Sequence, residues 1–145
     1  MKRFLLTILT VAPLAAVADE HDPIAERQSL MSDTRDALRP LIGMTRGRVD
    51  FDAETVEQSL AVFANTSEMS RDLFPIGTES GGETEAKDTI WSDPEGFQQG
   101  FVAFSEAVAS AQAANIQSVE ELQPNLQGVL KTCRDCHDGY RIETD

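Results

Sequence analysis

Close to its C-terminal end the chain reads Cys133-Arg134-Asp135-Cys136-His137, and these are its only two cysteines. They fall in a segment with strong helical spacing. Leu122, Leu126, Val129, Cys133, Cys136 and Tyr140 make one stripe, with Leu130 and His137 beside it. Residues three apart share a helix face, so both sulfurs can reach one edge of a planar ring. His137, four residues after Cys133, can then turn beneath that ring. Cys-x-x-Cys-His is the pattern of c-type haem attachment, in which each thiol adds across one vinyl group of the porphyrin. A chain that does this must fold around a macrocycle.

Three plainer uses of the two thiols fit less well. A thioredoxin-like dithiol needs a βαβ setting, and no strand pattern is visible. A zinc site needs further ligands, and the only other histidine is His21, close to where the mature chain begins. A disulfide would close a loop of about four residues and constrain little of the unfolded chain.

The first 18 residues support the haem reading. Met1–Ala18 begins with Lys2 and Arg3, continues through an apolar run from Phe4 to Val17, and ends in Ala16-Val17-Ala18. That is a secretory signal peptide, too short for a membrane span and followed at once by Asp19-Glu20. Cleavage after Ala18 leaves residues 19–145 as one domain and takes the formal charge from −13 to −15. Haem attachment through Cys-x-x-Cys-His takes place outside the cytoplasm, and the expected location is a bacterial periplasm. No segment of the mature chain is apolar enough to span a bilayer.

Four helical stretches are expected and no strand. The first runs from about Pro23 to Thr45, capped by Asp22, with Ile24, Met31, Leu38 and Leu41 near one face and Pro40 weakening its last turn. The second runs from about Ala53 to Leu73 after Asp52, with Val56, Leu60 and Phe63 as its stripe. A loop follows from Phe74 to Asp93, long enough to be functional or disordered. The third helix starts near Pro94 with Asp93 as cap and carries Phe97, Phe101, Phe104 and Val108. The fourth starts at Val119 or Pro124 and ends near Arg141. Four helices with one apolar face each are most economically buried as an antiparallel bundle.

With 25 acidic and 12 basic residues, the chain is unsuited to nucleic acid, which requires a basic face. The acidity favours a basic protein partner with salt-sensitive association. The carboxylates are scattered over helix surfaces, and no nucleophile stands beside a base, so no enzyme activity is expected.

A haem motif at the end of an all-helical chain resembles the cytochrome c′ family, the class II c-type cytochromes. The resemblance covers most of the mature chain. It rests on Cys133 to Arg141, on Arg27-Gln28 with Met31, on Phe74-Pro75-Ile76-Gly77-Thr78, and on Ile90-Trp91. Cytochrome c′ is itself a standard example of the up-down-up-down four-helix bundle, so that topology is implied by the resemblance. So is one covalently bound haem c, with Cys133 and Cys136 as anchors and His137 as proximal iron ligand. By position, Arg141 lies beside that histidine, where a cation tunes the iron, or else serves the helix dipole. Arg27 falls where the family's arginine nears a haem propionate; the plainer reading is a solvated helix face. Gln28 adjoins it in the same motif. Gly77, Thr78 and Trp91 match a loop walling the haem, although Trp91 also suits an ordinary core. The family often pairs two subunits through its first two helices, which makes a homodimer an expectation.

Met31 falls at the family's distal position. One branch keeps iron five-coordinate behind an apolar side chain and binds NO or CO. The other uses a methionine sulfur as sixth ligand and carries electrons. The coordination logic favours the second for Met31, with metal ligands His137 and Met31, and an electron carrier as the function. A steric gate over a gas site is the alternative, and mere space filling is the plainest. Met44 and Met69 lie near helix ends and match the position less well.

Overall fold

The computed structural model describes residues 21–143. The expected signal segment Met1–Ala18 lies outside the described residues. The long helices are α1 (Pro23–Thr45), α2 (Ala53–Met69), α4 (Pro94–Ala113) and α5 (Val119–Tyr140), with a single turn, α3 (Thr89–Ser92), between α2 and α4. Among the described residues there is no strand, only one isolated bridge between Ala86 and Arg141. No described helix is long and apolar enough to cross a membrane.

The helix starts follow capping chemistry. Asp22 accepts from the amides of Ile24 and Ala25, and Asp52 from those of Glu54 and Thr55. Asp93 accepts from Gly96 N, ahead of Pro94 in the first turn. Ser118 caps α5 by accepting from Glu121 N. That fixes its start at Val119, and Pro124 is carried inside the helix. The only lost donor there faced Glu120 on an exposed turn, so the helix tolerates it. Pro40 likewise does not end α1, which continues to Thr45.

α2 stops four residues short of the expected Leu73. A 3-10 turn at Ser70–Asp72 takes over. The loop that follows is ordered by α3 and the Ala86–Arg141 bridge.

α1 packs on α2, α2 on α4, α4 on α5, and α5 closes on α1. The main core lies at one end of the bundle. Leu41 and Met44 meet Val56, Leu60 and Phe63, then Phe104, Val108 and Ala111, then Leu122, Leu126 and Val129. These come from the C-terminal half of α1 and α4 and the N-terminal half of α5. Met44, 3% exposed, is a core residue of that end.

The opposite end holds a smaller aromatic cluster of Ile90, Phe97 and Phe101, flanked by Phe74, Trp91 and Tyr140. Its rings meet edge to face: Phe97 stands 4.7 Å from Phe74, 5.2 Å from Phe101 and 5.2 Å from Tyr140. Arg27 lies over Phe74 at this end, with Met31 one turn on; Cys136 lies beside Gly100 and is followed by His137, whereas Cys133 packs against the main core. The expected apolar stripe of α1 is corrected here. Met31 is 37% exposed, whereas the residue one turn before it, Arg27, is 5% exposed.

Candidate functional site

The last turns of α5 carry the cysteines and the histidine. Cys133 and Cys136 are half-buried free thiols. Burial pushes the Cys136 thiol up to about 11, and raises Cys133 as well, so both stay protonated at neutral pH. Cys136 lies against Gly100 of α4: a Cβ there would stand 3.4 Å from its sulfur. The glycine lets α4 approach the attachment site closely.

His137 is exposed at the surface of the chain, but crowding by the protein lowers its pKa, and the Arg141 cation lowers it further. Asp138 and Glu85 act in the opposite sense. The balance favours the neutral imidazole, the form with a lone pair for a metal.

The end of α5 is unusually well satisfied for a helix terminus, which ordinarily leaves carbonyls without partners. Arg141 N donates to His137 O at 3.0 Å and Lys87 N to Tyr140 O at 3.0 Å. Lys87 Nζ donates to Asp138 O at 2.9 Å, and Thr89 Oγ1 to Gly139 O at 2.8 Å. Tyr140 Oη donates to Asp93 Oδ2 at 2.9 Å, tying α5 to the cap of α4. Arg141 Nε pairs with Glu85 Oε2 at 2.6 Å. The helix bearing the histidine is therefore held from behind by residues 85–93.

A second group fastens the long loop to α1. Arg27 sends one terminal nitrogen to Leu73 O and Thr78 Oγ1, both at 3.1 Å, and the other to Thr78 O at 2.9 Å and Thr84 Oγ1 at 2.6 Å. Its guanidinium lies 4.7 Å from the centre of the Phe74 ring. Gln28 Nε2 donates to Glu83 O at 2.8 Å, and Trp91 Nε1 to Phe74 O at 3.1 Å. Arg27, Gln28, Thr78 and Trp91 are thus brought together by one loop, and Arg27 is neither solvated nor on an open face. Gly77 takes φ 96° in the turn before Thr78, a conformation suited to glycine.

No carboxylate pairs with Arg27 within salt-bridge distance among the described residues. Its four terminal donors meet neutral oxygens, and burial lowers its pKa. Asp22 acts on it only from a distance, and a buried cation whose direct partners are all neutral suits a site that receives an acidic group from a cofactor. Met31, open on the same face one turn on, and the paired thiols fit a flat apolar ring with attachment points at one edge. The residues present fit a haem.

Several contributors had no signal of their own in the sequence. Thr84, Glu85 and Lys87 act through contacts between residues about 50 positions apart. Asp93 was legible as a cap, but not as the acceptor for Tyr140.

The arrangement is a helical bundle with two half-buried thiols and a histidine at the end of its last helix. Residues 22–141 match the family described as cytochrome C′. The chain is 33% identical to cytochrome c′ of Rhodopseudomonas palustris over 95% of its own length and 97% of the relative's. It is 32% identical to cytochrome c′ of Cereibacter sphaeroides over 99% of both. The solved Rhodopseudomonas palustris cytochrome c′ superposes with a TM-score of 0.83 at 33% identity, covering 87% of this chain and all of that one. A nitric oxide complex of a cytochrome c′ variant from Alcaligenes xylosoxidans gives 0.74 at 26% identity, covering 83% and 94%. The chain belongs to the cytochrome c′ family, and it is a four-helix bundle that binds one covalent haem c.

Proposed function

We propose that this protein is a periplasmic haem protein with a one-electron couple, whose distal site under Met31 takes NO or CO. The observation that carries this is the nitric oxide complex of a cytochrome c′ relative of the same fold. Met31, 37% exposed one turn after buried Arg27, fits a side chain beside that site. When bound, haem c would supply a one-electron iron centre. Cys133 and Cys136 would anchor it. His137, on the helix end held by the Glu85–Thr89 segment, would bind the iron. Met31 would screen the distal site from water with an apolar, adaptable chain. Arg27 keeps the loop Leu73–Thr84 in place and offers its charge to a propionate. Arg141 sets the charge beside the histidine.

The second reading is the one expected from the residue types alone: Met31 sulfur as permanent sixth ligand in a dedicated electron carrier. What favours it is the thioether itself, 37% exposed at the position the resemblance expects to be distal. Visible spectra decide. Oxidised and reduced protein are recorded before and after CO. A high-spin spectrum that CO shifts at once supports the gas site. A low-spin spectrum that CO barely changes overturns it, and Met31→Leu should then convert it to high spin.

Met1–Ala18 serves in this reading as the cleaved signal peptide, leaving residues 19–145 as the domain. Its redox partner presents a basic face to a chain of charge −15. A groove of about 700 Å³ between α1 and α2, lined in part by Leu30, Ala37, Pro40 and Val62, is where a second copy would pair. Light scattering on the purified protein tests the dimer.

A further inference from the structure

We propose that Glu85 is a positioning residue whose carboxylate pairs with the Arg141 cation beside His137, offsets its charge and thereby sets the reduction potential of the iron. Glu85 reaches the end of α5 by two routes. Its carbonyl accepts from Ile142 N at 2.7 Å, and its carboxylate meets Arg141 Nε at 2.6 Å. Ala86 forms the isolated bridge to Arg141, and Lys87 N reaches Tyr140 O. The backbone contacts place the carboxylate without depending on its charge.

Arg141 lies four residues after His137, one helical turn on, and its own amide donates to His137 O. A guanidinium there stabilises the less positive, reduced iron. A carboxylate beside it offsets that effect. Both side chains are about half exposed, 47% for Arg141 and 41% for Glu85, so salt screens the pair partly. The inference rests on His137 as iron ligand, but not on what occupies the distal side.

The test compares wild type, Glu85→Gln, Arg141→Gln and the double variant, all haem-loaded. Midpoint potentials are measured by visible redox titration at one pH and low ionic strength. Glu85→Gln keeps the side-chain size and the backbone contacts. It should raise the potential, Arg141→Gln should lower it, and the double variant should return towards wild type. The Arg141 Nε–H, which donates to Glu85 in the wild type, should exchange faster in Glu85→Gln by NMR. A purely structural Glu85 would lower the melting temperature and leave the potential where it was, and that result overturns the proposal. So does a shift of the same sign in both single variants. Failure of the underlying reading shows separately: His137→Ala would keep the wild-type visible bands whatever Glu85 does.

Discussion

Arg27→Lys is the most informative single change at the loop. The lysine keeps the charge but offers three donors from one point, whereas the guanidinium spans Leu73 O, Thr78 O and two threonine hydroxyls with four bonds. At least two of those bonds are lost, and one buried carbonyl is left without its donor. Bonds from a charged donor contribute about 1.5–3 kcal/mol each. The expected destabilisation is about 3 kcal/mol. For a domain of this size, each kcal/mol moves the melting point by roughly 4 °C, so a fall of about 12 °C follows. Circular dichroism at fixed pH on the haem-loaded proteins measures it. Limited proteolysis should show faster cleavage between residues 74 and 88 in the variant. A melting point within about 3 °C of wild type, with unchanged cleavage, would refute the clamp. It would leave Arg27 as a partner of the cofactor alone.

Three further outcomes are expected. His137→Ala should lose the wild-type visible bands and much of the thermal stability, because a cofactor that binds only the folded chain stabilises it; spectra and melting curves check both. Phe63→Ala removes a ring that is 1% exposed and packed near Phe104. It should cost about 3–5 kcal/mol in urea denaturation while leaving the visible spectrum unchanged. Asp52 is a pH probe of the α2 cap. The Thr55 hydroxyl, then the backbone amides of Thr55 and Glu54, lower its pKa. A carboxylate whose pKa is lowered on folding stabilises above its unfolded value, about 3.9, and loses this as pH falls through the lowered one. The melting-point gap between wild type and Asp52→Ala should therefore be full near pH 6 and close progressively below about pH 4.

Much of the molecule is written locally. The caps Asp22, Asp52 and Asp93 sit where the helices begin, because a cap needs only its own side chain and the next three amides. The stripe of Phe97, Phe101, Phe104 and Val108 is buried as its spacing requires. The haem motif is local too, since a helix turn suffices to set both thiols and the histidine on neighbouring faces. The early end of α2, the α3 turn and the course of α5 through Pro124 were less legible. Each is decided by what packs nearby, not by propensity.

The site shows the same division. By itself the sequence indicated the chemistry: two thiols and a histidine in the haem-attachment pattern, and a methionine where the family resemblance expects the distal residue. Only the tertiary structure decided how those residues are held. It buried Arg27 under a loop about 50 residues distant and left Met31 partly exposed. It also drew Glu85 onto Arg141. A motif encodes side-chain types at fixed spacing along one helix. Burial, screening and the pairing of charges depend on which distant segments close over that helix, and those are set by packing across the whole bundle.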